Sequence, residues 1–343
     1  MKRSWRAWTV TSCVLMALLV PAARAQSDPV PLLIDKLQNS DSFRVRTQAA
    51  AVLGRLRDER ATQPLIEALG ADDSYAVRGA SASALGFIGG KKVVGPLFQA
   101  LGDADSLVQS LSEKALGEVQ GEGVVAAFRL HLIEGREREQ TLAFIRIKQL
   151  AARGDDEAIQ VLIEVLPDPR RRAEVEKVLA AIPAERARSA LLPALQSEDA
   201  EVRASAARLL AGFPAEDVVD ALADAYDRAG EEESVRHELR TSITSMKNLL
   251  DLDDLVDEAR QGETRADRAR AIRLLGVTGG LLGSATLEEL LDDPDPFIQG
   301  AAALALADAG ASKAVPKIVR LRSRTDNERL RNILDAVLKI LRK

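Results

Sequence analysis

Apolar residues in this chain fall at helical intervals, and the pattern itself recurs. Val45, Ala49, Val52, Leu53 and Leu56 lie at i, i+4, i+7, i+8 and i+11, the spacing of one buried helical stripe. A polar turn over residues 57–62 follows, and Leu65, Ile66 and Leu69 then mark a second helix. Asp41 stands before the first helix as an expected N-cap, with Asp73, Asp105 and Asp295 at matching places further on. Pro64, Pro96 and Pro296 suit the first turn of a helix, where a missing N–H costs nothing. No run alternates with period two for long enough to make a strand, so the chain is expected to be all-α.

The two-helix unit repeats about every 32 residues. Aligning residues 45–75 with 77–107 gives 12 identities in 31 positions, among them Val45/Val77, Arg46/Arg78, Gly54/Gly86, Pro64/Pro96 and Leu69/Leu101. A third copy opens at Val108, one residue early, which places the deletion in a turn. Such self-similarity predicts a stacked solenoid of about ten units, each burying its apolar face against its neighbours. Gly54, Gly86 and Gly117 each follow a leucine late in a first helix, and Gly212 and Gly276 keep the mark. Such a glycine either ends its helix in a left-handed conformation or lets the next unit approach closely.

The units are regular over residues 27–117, 199–229 and 292–343 and divergent over 118–198 and 230–291. Residues 30–37 match a second helix and residues 330–341 a first one. Lys339 replaces the recurring glycine there, as expected of a capping helix.

The pattern VR-xx-A-xxx-LG, then PLIxAL and an acidic turn, resembles HEAT repeats, in particular the short HEAT-like repeats of bacterial proteins related to phycobilisome lyases. The likeness is clear over residues 27–117, 199–215 and 292–320. It implies an α-solenoid, a right-handed superhelix with second helices lining a concave face. It also implies recognition of proteins or peptides far more often than catalysis. Some HEAT-like proteins are iron-dependent hydroxylases with several His-Glu pairs, whereas this chain has one, His237-Glu238.

The first 25 residues read as an export signal. Lys2, Arg3 and Arg6 precede an apolar stretch from Trp8 to Val20, and Ala23-Arg24-Ala25 offers a cleavage site. The stretch is shorter than the roughly 20 residues a bilayer span needs, so no stable membrane span is expected after cleavage. Removal of this segment takes the only cysteine and both tryptophans, leaving 43 basic against 52 acidic residues, a net charge of −9. Such a chain forms no disulfide, and its acidity argues against nucleic-acid binding. The expected compartment is the periplasm or the exterior.

Catalytic chemistry is not evident. His131 and His237 lack any partner at metal-ligand spacing, so no metal set, cofactor or catalytic residue is assigned. The run from Gly276 to Gly283 has neither the preceding strand nor the Lys-Ser/Thr of a phosphate loop and reads as an inter-helix turn. Asp251, Asp253 and Asp254 read as an acidic first helical turn. Arg46, Arg78, Arg203, Arg236 and Arg331 share one position of the unit. They either form a binding ladder or pair with turn aspartates of adjacent units.

Two surfaces are candidates for recognition. Asp35, Glu67, Gln99, Glu164 and Asp257 hold equivalent sites on second helices, an acidic row suited to a basic protein or peptide segment. Arg129, Arg136, Arg138, Arg146, Lys148, Arg153 and Arg170 to Arg172 form a basic patch diluted by Glu134, Glu137 and Glu139. The reading is a non-catalytic, exported scaffold or adaptor. The alternatives are a lyase- or oxidoreductase-like HEAT enzyme and a structural part of an envelope assembly.

Overall fold

The computed structural model describes residues 28–228, 232–278 and 280–342, so the export-signal reading lies outside the described residues. Among these residues all regular structure is helical, with twenty α-helices joined by turns and short 3-10 segments. The chain forms two compact units, the first running to Ala127 and the second from Phe128.

In the first unit, α1 (Pro29–Asn39) precedes the pair α2 (Phe43–Leu56) and α3 (Thr62–Ala71). The pair α4 (Tyr75–Ile88) and α5 (Val94–Gln99) follows, then α6 (Ser106–Glu118). First helices stack on first helices, α2 on α4 on α6, and second helices do likewise, α1 on α3 on α5. Of the predicted stripe, Ala49 and Leu53 are inaccessible or nearly so and Val52 is half-buried, but Val45 and Leu56, at its two ends, are 37 % and 45 % exposed. Leu65, Leu85 and Leu97 are buried with Leu53. A leucine buried this way contributes about 1.5–3 kcal/mol.

α7 (Val124–Glu134) carries the chain across the division. In the second unit the pairs continue with α8 (Glu137–Ala152) and α9 (Asp156–Val165), then α10 (Arg172–Leu179) and α11 (Ala184–Ala194). Next come α12 (Ala200–Leu210) with α13 (Glu216–Arg228), and α14 (Glu233–Ser245) with α15 (Leu252–Gln261). The last are α16 (Arg265–Thr278) with α17 (Gly280–Leu290), α18 (Pro296–Asp308) with α19 (Val315–Arg324), and α20 (Glu328–Leu341). Each unit is thus an α-solenoid of stacked helical pairs.

The recurring glycine serves close approach at Gly54, Gly86 and Gly276. It does not at Gly117, where a Cβ would meet no neighbouring helix within 4 Å, nor at Gly212, where it would meet only Leu209 O at 3.3 Å. Gly54 and Gly86 lie inside α2 and α4, and a Cβ on Gly54 would stand 2.6 Å from Ala84 Cα. One on Gly86 would stand 2.8 Å from Ala115 Cβ, and Gly276 repeats the relationship with Ala305 at 2.8 Å. None of the three has a positive φ, which removes the helix-ending alternative. Lys339, at the equivalent site of α20, is exposed.

Two local expectations need correction. Asp105 and Asp295 do cap α6 and α18, accepting the N–H groups of Leu107 and Phe297. Asp41 and Asp73 do not; Ser42 and Ser74 hold the N-cap positions without a side-chain cap bond. The turn is closed earlier there, by Ser40 Oγ accepting from Ser42 N–H and Asp72 from Ser74 N–H. The glycine run from 276 to 283 is not a turn over its length. Gly276 belongs to α16 and Gly280 to Gly283 belong to α17, while Gly279 lies outside the described residues.

Candidate functional site

The arginine position builds an internal brace. Arg46 donates to both oxygens of Asp72 (2.7 and 2.8 Å), and Arg78 does the same to Asp103 (2.8 and 2.9 Å). Each arginine also donates to the carbonyl six residues before it, Ser40 and Asp72, at 2.9 Å. That second bond recurs from Arg203 to Ser197 O and from Arg331 to Thr325 O, and from Gln109 and Gln299 at the same position. These first helices are thereby tied to their own entry turns, and α2 and α4 also to the turn before the next unit. The guanidinium suits this because its planar fork donates along several directions at once. Burial pushes the Asp72 carboxyl up, but the bonds from Arg46 and Ser74 N–H outweigh it and hold it below its ordinary value. Asp103 is lowered chiefly by Arg78.

Arg268 is a member that the sequence reading missed. It bonds Asp293 at 2.5 Å, but Asp267 precedes it where other copies carry valine. Arg203 reaches Glu232. Pairing with a turn aspartate thus holds for Arg46 and Arg78, Arg203 takes a glutamate instead, and among the described residues Arg331 bonds only the Thr325 carbonyl.

Arg236 departs from the rule. The turn acid expected 25 or 26 residues ahead is absent, since Gln261 and Gly262 stand there. Its guanidinium donates instead to Asp308 at 2.7 Å and to the Tyr226 hydroxyl at 3.0 Å, and lies 4.7 Å from that ring's centre. Burial raises the Asp308 carboxyl above its ordinary value against the opposing pull of Arg236. Burial likewise raises the Tyr226 hydroxyl. This cluster borders a groove of about 610 Å³ on α16, α18 and α20. The missing turn acid was the signal that could have found it.

The five residues of the acidic row are all exposed. Asp35, Glu67 and Gln99 belong to the stacked second helices α1, α3 and α5 of the first unit. Gln38 links the first two helices by donating to Glu67 at 3.5 Å, and Asp35 accepts from Asn39 at 2.8 Å. Glu164 and Asp257 belong to the second unit, and Glu164 is neutralised by Arg129 at 2.7 Å.

The basic patch does not exist as drawn. Arg146 is 3 % exposed, and its burial lowers its pKa. Lys148 pairs with Glu174, while Arg170 and Arg171 pair with Asp168. His131 meets Glu139 at 3.1 Å, and His237 is exposed on α14. Among the described residues no three His, Cys, Asp or Glu side chains converge as a metal set.

The family description that matches the chain is HEAT repeats, over residues 14–86, 62–145, 159–244 and 252–339. A search of the curated proteins returned no match. Among solved structures, the chain is similar to an engineered protein at 20 % identity and a TM-score of 0.30, covering 92 % of this chain and 99 % of that one. It is also similar to human deoxyhypusine hydroxylase in complex with glycerol (21 %, TM-score 0.23), covering 82 % of this chain and 84 % of that one. Kap121p is similar at 12 % identity and a TM-score of 0.35, with 91 % of this chain spanning 41 % of that one. Likenesses this loose carry no functional inference.

Proposed function

We propose that this chain, which belongs to the HEAT-repeat family, is a non-catalytic protein-interaction scaffold or adaptor exported to the bacterial cell envelope. HEAT-repeat solenoids commonly serve as protein-interaction scaffolds. The observation that carries the reading is the exposed side of α1, α3 and α5, where Asp35, Glu67 and Gln99 recur in register on stacked helices. A fixed spacing of acidic and amide groups suits a basic segment of another protein, by charge complementarity and by a repeat that an extended or helical partner can follow. Arg46 and Arg78 are already engaged in the internal brace, whereas Asp35, Glu67 and Gln99 of the second helices are exposed. Export is supported by Lys2, Arg3, Arg6, the apolar run to Val20 and Ala23-Arg24-Ala25.

The test uses a fluorescent lysine- and arginine-rich peptide as probe and the full chain as receptor. Asp35→Lys with Glu67→Lys should weaken binding about tenfold or more, because several rim charges of a few tenths to about 1 kcal/mol each act together. Arg136→Glu with Arg138→Glu is the control. Equal loss in the control, or none in the acidic variant, would remove the recognition role from this face.

A further inference from the structure

Helix α18 is apolar around most of its circumference. Ile298, Ala302, Ala305 and Leu306 are buried, yet Phe297 and Leu304 remain 51 % and 42 % exposed. A helix apolar on more than one side either lies wholly inside a core or keeps a face for a partner. The exposed face lines the groove of about 610 Å³, to which α20 contributes Ile333 and Arg329 and α16 contributes Arg273. That volume is within the usual range of ligand clefts, and Gly300 and Ala301 keep the surface between Phe297 and Leu304 low.

The charges around the groove are unlike those of the chain as a whole. The full chain carries a net −5, but Arg236, Arg265, Arg273 and Arg329 line this groove against only Asp295 and Asp308. Both acids are engaged: Asp295 caps α18 and takes Arg265 at 2.5 Å, and Asp308 takes Arg236. Arg273 is held by Ala223 O and Asp224. Arg265 and Arg329 are the first and second residues of α16 and α20, both exposed. A cation in the first turn opposes the helix dipole, so neither arginine is there to stabilise its own helix. Arg329 adds its charge to the positive end of α20 beside an apolar strip, and Arg265, shared with Asp295, keeps an exposed side there; Asp267 and Glu328 stand in the same first turns.

We propose that this groove docks a short acidic segment of another protein. Its Leu, Ile or Phe side chains would rest on Phe297 and Leu304, and its carboxylates would face Arg329 first and then the exposed side of Arg265. The site is distinct from the acidic row of the first unit and selects the opposite charge. From Phe297 to Asp308 the strip is about 16 Å long, enough for three turns of a docked helix or about five extended residues.

A displayed library of random 12-residue peptides, selected on the full chain, tests this. The expected result is enrichment of peptides combining Asp or Glu with Leu, Ile or Phe. As synthetic peptides these should bind Arg329→Glu and Leu304→Gln at least about tenfold more weakly than the parent. Should Leu304→Gln fail to fold by circular dichroism, Arg265→Glu with Arg329→Glu, both exposed, decides the matter. Enrichment of basic or uncharged peptides, binding unaffected by these variants, or no enrichment would each overturn the proposal. Self-association of the chain that Leu304→Gln abolishes would also overturn it, by making a second copy the occupant.

Discussion

Arg236 and Asp308 are 72 positions apart in the chain, and their side chains meet at 2.7 Å. The bond crosses from α14 to the end of α18, whereas Arg46 and Arg78 are served by an aspartate 26 or 25 residues on. Removing the cation strands a half-buried carboxylate, the costlier half of such a pair to leave alone. Arg236→Met should destabilise the second unit by about 1–3 kcal/mol, and Asp308→Asn by less, since an amide still accepts from Arg236. Urea unfolding of both single variants and the double one gives the coupling. Additive effects would mean the pair is incidental.

Acid should act oppositely on the two aspartate classes. Asp72 and Asp103 titrate below their ordinary 3.8 in the folded chain, so their contribution is present above that pH and is lost as pH falls through the folded values. Asp308 is raised, so its contribution is complete below 3.8 and fades as pH rises through its folded value. Hydrogen exchange at pH 3 and pH 6 should show greater acid weakening in α2–α6 than near Asp308. Asp103→Asn should remove part of that weakening and cost about 1–3 kcal/mol at pH 6.

Gly86→Val should force α4 from α6, because even its Cβ meets Ala115 Cα at 2.9 Å. Overpacking of this kind costs about 1–3 kcal/mol. Gly70→Ala, whose Cβ would meet no neighbouring helix within 4 Å, should be neutral or stabilise by up to about 1 kcal/mol. Thermal melts of the two variants separate close approach from general intolerance of glycine replacement.

Ser81 and Ser112 occupy the repeat position that Ala49, Ala206 and Ala302 hold elsewhere. Both hydroxyls are buried with no hydrogen-bond partner among the described residues. A buried, unsatisfied hydroxyl costs about 1–3 kcal/mol, so Ser81→Ala and Ser112→Ala should each raise stability. A fall in melting temperature for both would show that the hydroxyls are satisfied after all.

Export predicts an intact mass that corresponds to a first residue of Gln26, with loss of tryptophan fluorescence because Trp5 and Trp8 depart. A product retaining residues 1–25 in cell fractions would reject it.

Features set by local repetition were legible in the sequence. The buried positions Ala49 and Leu53, the pairing of helices and the close approach at Gly54, Gly86 and Gly276 all depend on residues within one unit and its neighbour, whereas Val45 and Leu56 share the helical period and stay exposed. The arginine brace was legible as one of two alternatives, and its continuation through Arg268 was hidden by Asp267 in place of valine. Asp41 and Asp73 look like caps because residue type marks a turn without saying which turn residue closes it. Arg146 reads as surface because charge usually is, yet α8 turns it inward. The groove beside Tyr226 joins residues several units apart, and no periodicity encodes that. The acidic row was legible by register, and its division between two units was not.

The exposed side of α1, α3 and α5 is proposed to meet another protein. A photo-crosslinking amino acid placed at Glu67 of the full chain in its native cells tests this most directly, with Arg55, exposed on α2, as the comparison. The account predicts a discrete protein adduct at Glu67 that Asp35→Lys diminishes, and little at Arg55. Equal labelling at both positions, or no protein adduct at Glu67 while the chain is present, would contradict it.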